Sequence, residues 1–177
     1  YCTAKPNFMY LSKTPRLVQN LLPSYTWHIP TTEKVIFLTF DDGPIPEATP
    51  WVLDTLSDYG AKATFFCVGD NVRKYPAIFQ QILAEGHAVG NHTFNHLKGW
   101  KTNTSDYLEN VERCAEMVPS PLFRPPYGTL KPSQTRQLKS HYKIVMWDVL
   151  SGDFDPKISP EQCLQNVLDN IQPGSIV

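Results

Sequence analysis

The amino-acid sequence predicts an α/β protein in which short buried strands alternate with helices. Three observations carry that reading. Short, nearly continuous apolar runs recur along the chain, as in parallel strands covered on both faces. Between them lie segments whose apolar residues repeat at helical spacing. Carboxylates, histidines and an arginine gather just after the apolar runs, where α/β folds place their functional groups.

The elements follow in order. Residues 1–33 are broken by Pro6, Pro15, Pro23 and Pro30 and read as an extension packed on the domain through Leu17, Leu21, Leu22 and Trp27. Residues 34–177 form the domain itself. Val35-Ile36-Phe37-Leu38-Thr39-Phe40 is the first strand. A helix then starts at Pro50, ends near Gly60 and turns Val52, Leu56 and Tyr59 to one side. Ala63–Val68 is the second strand. The next helix opens at Pro76, points Phe79, Ile82 and Leu83 inward and stops near Gly86. His87–Gly90 is a third strand, and Leu108, Val111, Ala115 and Val118 make a helical stripe. Leu122-Phe123 begins a fourth strand, and a short helix after Pro132 leads to a fifth, Lys143–Asp148. The last helix has Ser159 as cap, Pro160 in its first turn and Gln162 to complete a capping box, with Leu164, Val167, Leu168 and Ile171 as its buried face. Ser175-Ile176-Val177 begins a sixth strand. About six strands and five helices suit an irregular or incomplete barrel better than an eight-fold one. Periodicity alone leaves a doubly wound open sheet as the alternative.

Composition narrows the function. The chain has 177 residues, 41% hydrophobic and 19% charged, which fits one globular domain. A net charge of -1 with no basic run argues against nucleic acid or an anionic membrane as main partner. No apolar stretch approaches the length of a transmembrane segment. The start, Tyr1-Cys2-Thr3-Ala4-Lys5, shows neither a signal-peptide pattern nor an initiator Met, so it assigns no compartment. The four cysteines, Cys2, Cys67, Cys114 and Cys163, show no metal-ligand spacing and read as buried free thiols.

Four strand ends carry candidate chemistry. Thr39-Phe40-Asp41-Asp42-Gly43-Pro44 sets two carboxylates side by side. Asp-Gly and Gly-Pro also make ordinary turns, but adjacent carboxylates repel one another and a cation relieves that cost. His92-Thr93-Phe94-Asn95-His96 puts two of the chain's five histidines at i and i+4, where both can face one ion. A pair of surface histidines is the plainer explanation. Two histidines and one carboxylate are a common catalytic zinc set that leaves room for water and substrate. Arg124-Pro125-Pro126-Tyr127-Gly128 can fix an arginine able to grip Asp41 bidentately. Trp147-Asp148-Val149-Leu150-Ser151-Gly152-Asp153-Phe154 offers two aromatics and further carboxylates, or simply a loop with a core Trp. Each signal is modest alone, and their succession at strand ends is what points to a site. His28, His87 and His141 read as structural or surface residues.

These residues resemble the polysaccharide deacetylase family, also called NodB-like or family-four carbohydrate esterases. The likeness covers roughly 35–177, with four of five motifs in order. The run 39–44 is the first motif, His92–His96 fits H-[ST]-x-x-H, and Arg124–Tyr127 fits R-x-P-[YF]. The fourth, D-x-x-D-W, is imperfect, since Leu150 stands for the first Asp and Phe154 for the Trp. The resemblance implies a distorted, incomplete (β/α) barrel of about seven units. It implies one divalent metal, zinc foremost, on Asp42, His92 and His96, and Asp41 as general base oriented by Arg124. It further implies an oxyanion held by the metal and the Tyr127 N–H, Asp153 supporting a histidine acid, and Pro126, Tyr127, Trp147 and Phe154 against the substrate. That substrate would be an N-acetylated glycan of N-acetylglucosamine type, with acetate released. The family's Leu-x-His motif would fall a few residues beyond Val177, so the reading expects a truncated chain, cut in its last strand and lacking the acid. Family members are often exported or attached to the cell envelope. Hydrolysis of another C–N or O-acetyl ester bond is one rival, and a glycan-binding pseudoenzyme is the other.

Overall fold

The computed structural model describes residues 11–177. Cys2, Pro6 and the start of the N-terminal extension lie outside the described residues.

Five strands lie side by side in chain order: β1 (Thr39–Asp41), β2 (Thr64–Cys67), β3 (Ala88–Asn91), β4 (Leu122–Phe123) and β5 (Lys143–Ile144). Every neighbouring pair is parallel. Such sequential winding is the barrel pattern, whereas a doubly wound sheet reverses its order at a switch point. The five strands do not close on themselves. The segment 175–177 bridges the gap through single hydrogen bonds. The N–H groups of Phe37 and Thr39 donate to the carbonyls of Ser175 and Val177, both at 2.8 Å, and the Asp148 N–H donates to Ile176 O at 2.9 Å. The fold is thus an incomplete, distorted barrel.

The helices pack outside it: α1 (Arg16–Leu21), α2 (Thr49–Asp58), α3 (Gly69–Lys74), α4 (Pro76–Ala84), α5 (Thr104–Ala115), α6 (Pro132–Leu138) and α7 (Pro160–Leu168). One core joins Leu53, Phe65, Phe79, Ile82 and Val118 under β1–β3. A second joins Tyr107, Val111, Phe123 and Ile144 under β4 and β5 and takes in Tyr25 and Trp27 from the N-terminal segment. Helix α5 sits between the two, because its stripe supplies Tyr107 and Val111 to one and Cys114 to the other. Asn103 caps it by accepting from the Asp106 N–H at 2.9 Å.

Several expectations are corrected. Val35 and Ile36 are exposed, and regular pairing of the first strand starts only at Thr39. Leu17 and Leu21 are exposed, so the N-terminal segment is anchored by its aromatics rather than by these leucines. Tyr59 and Leu83 face solvent. In α7, Leu164 and Leu168 are 59% and 55% exposed, so its apolar stripe is not buried by the described residues. Ser159 caps α7 by accepting from the Gln162 N–H at 3.2 Å, but the Gln162 side chain turns to Asn166 and leaves the capping box half made. Cys67 and Cys114 are buried and free, while Cys163 is free but only half-buried.

A buried carboxylate ties the ends of the fold together. Asp148, just past β5, accepts from Lys13 Nζ at 2.6 Å, from Ser175 Oγ at 2.7 Å and from Gln19 Nε2 at 3.3 Å. Lys13 also donates to Asn170 O at 2.8 Å.

Candidate metal centre and active site

Asp41 and Asp42 leave the end of β1, and His92 and His96 lie in the loop after β3. Asp42 Oδ1 is 3.3 Å from His92 Nε2 and 2.9 Å from His96 Nε2. The three donor atoms all lie within 4.8 Å of one another, the single such group of acids, histidines or cysteines found among the described residues. Ligands bound at about 2.0–2.1 Å sit roughly 3.3 Å apart around a tetrahedral ion and roughly 2.9 Å apart, cis, around an octahedral one. The spacing therefore fits one small divalent ion.

The electrostatics of the triad point the same way. His92 is 2% exposed, and its Nδ1 is 2.6 Å from the Arg124 carbonyl. A carbonyl only accepts, so Nδ1 donates to it and Nε2 is the ring atom turned toward Asp42. Nε2 and the Asp42 carboxylate oxygen, 3.3 Å apart, are both placed to ligate one cation. Burial pushes the Asp42 carboxyl up, but the two imidazoles outweigh it and hold the group well below the usual carboxylate range. Burial also pushes the Cys114 thiol up to about 11.

The loops that present these ligands are held in an uncommon backbone. Asp42, Thr93, His96 and Tyr127 all have left-handed φ, at 67°, 62°, 55° and 59°. Non-glycine residues adopt this region at a cost of about 1 kcal/mol or more, so the surroundings must enforce it. Asparagines do so. Asn71 Nδ2 donates to Asp42 O at 2.7 Å. Asn91 Oδ1 accepts from the Thr93 N–H at 2.9 Å, and Asn110 Oδ1 accepts from the N–H groups of Phe94 and Asn95 at 2.8 and 2.9 Å. None of the three was singled out in the sequence, where asparagine beside a motif reads as an ordinary loop residue.

Arg124 follows β4 and is 2% exposed. Its Nη1 donates to Asp41 Oδ1 at 2.8 Å and to Thr39 Oγ1 at 2.7 Å, while Nε and Nη2 donate to the carbonyls of Val145 and Met146. The grip on Asp41 is one nitrogen, not the expected bidentate fork, because the rest of the guanidinium binds the end of β5. Its plane lies over Phe66, 4.2 Å from the ring centroid.

Tyr127 is exposed, with its ring 4.7 Å from that of His96. Its N–H has no hydrogen-bond partner among the described residues. Pro126 is buried behind it. Trp147 is half-buried and packs on Gly128, where a Cβ would stand 2.7 Å from Trp147 Cη2. Gly128→Ala is therefore expected to destabilise the protein by about 1–3 kcal/mol in urea unfolding. To admit the Cβ, either Trp147 or the Tyr127 turn must move. Asp153 and Phe154 are the exposed residues of the loop 151–155, and Asp153 accepts from Ser151 Oγ at 2.7 Å. The structure thus brings together Asp41, Asp42, His92, His96, Arg124 and Tyr127, but shows no contact from Asp153 to any of them.

A cavity of about 340 Å³ opens beside the triad, lined by Asp42, Val68, Asp70, Asn71, Asn95 and His96.

Comparison with known proteins agrees with this arrangement. Residues 28–147 match the family model described as polysaccharide deacetylase. A peptidoglycan-N-acetylglucosamine deacetylase of Bacillus cereus is 40% identical over 164 residues, covering 86% of this chain and 75% of the relative. A chitooligosaccharide deacetylase of Azorhizobium caulinodans is 37% identical, covering 84% of this chain and 74% of the relative. A crystal structure of a peptidoglycan N-acetylglucosamine deacetylase, in complex with an N-oxidanyl-benzamide, superposes with a TM-score of 0.84 at 34% identity and covers 92% of this chain and 78% of that one. A family-four pseudoenzyme from Bacillus anthracis superposes with a TM-score of 0.77 at 26% identity, covering 85% of this chain and 56% of that one. With its family model matched over more than half its length, this chain belongs to the polysaccharide deacetylase family.

Proposed function

We propose that the protein is a metal-dependent hydrolase that removes N-acetyl groups from a glycan of N-acetylglucosamine type. The observation that carries this reading is the Asp42–His92–His96 triad beside the Asp41–Arg124 pair. A divalent ion, zinc first among them, held by the triad would supply Lewis acidity toward the acetamide carbonyl and acidify bound water. Asp41 takes the proton of the attacking water. Arg124 fixes which Asp41 oxygen is free, since Oδ1 is occupied and Oδ2 is left to act as base. The unpartnered Tyr127 N–H donates to the oxygen that gains charge, and the Tyr127 and Trp147 rings offer apolar faces to the sugar. His28 is tied to Pro173 O, and His87 and His141 precede β3 and β5 at the far ends of the strands, so none of the three is placed to protonate the leaving amine. Asp153 would support a histidine acid.

The test is acetate release from N-acetylglucosamine oligomers by the zinc-loaded protein, with a chelated sample and Asp42→Ala as controls. Release confined to the loaded wild type is the expected result. Release that survives in both controls would rule out the metal reading. Release from acetylated xylan alone would move the function to ester hydrolysis. A second reading is a glycan-binding pseudoenzyme. It is favoured by Leu150 and Phe154 at altered motif positions and by the likeness to the Bacillus anthracis pseudoenzyme. It predicts oligomer binding with no acetate released.

A further inference from the structure

The turn that leads from β2 into α3 touches both loops that carry the metal ligands, and four consecutive residues donate to them. The Val68 N–H donates to Gly43 O at 2.9 Å, beside Asp42. The N–H groups of Gly69 and Asp70 donate to the carbonyls of Thr93 and Phe94, both at 3.0 Å, between His92 and His96. The Asn71 side chain returns to the first loop and donates from Nδ2 to Asp42 O at 2.7 Å. Gly69 seats this clasp against the second loop, since a Cβ there would stand 2.7 Å from the Phe94 ring. Three of the four bonds come from the backbone, and only the Asn71 bond is lost by changing a side chain.

The three ligands need this support unequally. The His92 side chain is 2% exposed, and its ring is held by Arg124 O at 2.6 Å. The His96 side chain is 27% exposed and leans on the Tyr127 ring. The Asp42 side chain is 62% exposed, so packing does little to fix it, and its place is set by a backbone in the left-handed region, at φ 67°. We infer that Asn71 is a positioning residue for the metal that acts through Asp42. Its amide holds the Asp42 peptide in the left-handed form that presents the carboxylate to the two histidines. This rests on the metal-dependent reading above. Without the amide, Asp42 relaxes toward the ordinary negative-φ backbone, and the ion must draw it back on binding. The apparent affinity then scales with the fraction of molecules that still hold the ligand in place.

The experiment measures the zinc affinity of the full chain by competition with a chromophoric chelator, in the wild type, Asn71→Ala, Asn71→Leu and Gly86→Ala. The melting temperature of each metal-free protein is recorded beside it. Leucine keeps the bulk of asparagine but cannot donate. Gly86→Ala strains a left-handed turn before β3, at the end of that strand far from His92, and so lowers stability without touching the clasp. Both Asn71 variants are expected to bind zinc about tenfold more weakly than the wild type, as for the loss of a group that orients a ligand. Gly86→Ala is expected to melt lower but to bind zinc as the wild type does. Wild-type affinity in Asn71→Ala overturns the inference, and so does wild-type affinity in Asn71→Leu, which would mean that bulk and not donation matters. An equal fall in Gly86→Ala also overturns it, because general loosening would then explain the loss. In each of these cases the wild type still binds zinc and the metal reading stands. A wild type that binds no zinc removes both.

Discussion

Asp42→Ala is expected to lower divalent-metal affinity more than about a hundredfold, beyond the 10- to 100-fold typical of losing a group that merely supports a ligand. Asp42 is the one anion of the triad and lies within 3.3 Å of both imidazole nitrogens, so its loss removes a ligand and the charge that balances the ion. The change is readable without any turnover. At a free metal concentration a hundred times the dissociation constant, wild-type protein gains about 2.7 kcal/mol. For a domain of this size that is a rise of roughly 5–10 °C in melting temperature, and it should vanish in Asp42→Ala. A metal-induced shift that survives in both Asp42→Ala and His92→Ala would place the ion elsewhere.

Arg124→Met should be the most destabilising single change in the site, at about 3–5 kcal/mol in urea unfolding. Arg124 is buried and supplies hydrogen bonds to the Asp41 carboxylate, the Thr39 hydroxyl and the carbonyls of Val145 and Met146. Methionine fills much of the volume but leaves those acceptors unanswered in a site with little water. Lysine should rescue little, since one ammonium cannot span β1 and the end of β5 as the planar guanidinium does. Metal affinity should fall in the same variant, because the Arg124 carbonyl that orients His92 moves with the backbone. Full stability in Arg124→Met would show that the Asp41 contact contributes nothing to the fold.

The order of elements was legible in the sequence wherever an apolar stripe or a proline marked it, as with Pro76 for α4 or Ser159-Pro160 for α7. Helix α3 was not, because Gly69-Asp70-Asn71-Val72-Arg73-Lys74 has one large apolar residue and so no period to read. The reverse failure is α7, whose Leu164 and Leu168 keep a helical stripe yet remain exposed, since periodicity reports a face and not what covers it. In the site, the motif spacings pointed to Asp42, His92 and His96, which the fold draws onto one point. The asparagines that hold the strained turns were invisible, because their partners are backbone groups 15 to 29 residues away or in a turn the sequence does not announce. Asp148 read as one more loop carboxylate, and only the fold shows the cation and hydroxyl that bury it.

The Asp148 knot also bears on how the protein is made. Asp42, His92 and His96 come from a continuous stretch, so a chain leaving the ribosome can assemble its metal ligands early. Lys13, among the first described residues to emerge, must wait for Asp148 and Asn170, which lie 135 and 157 residues later. At common elongation rates that wait is on the order of ten seconds, during which Tyr25 and Trp27 are synthesised but have no strand to cover. The N-terminal segment therefore settles only after the strands it covers, although it is translated before them.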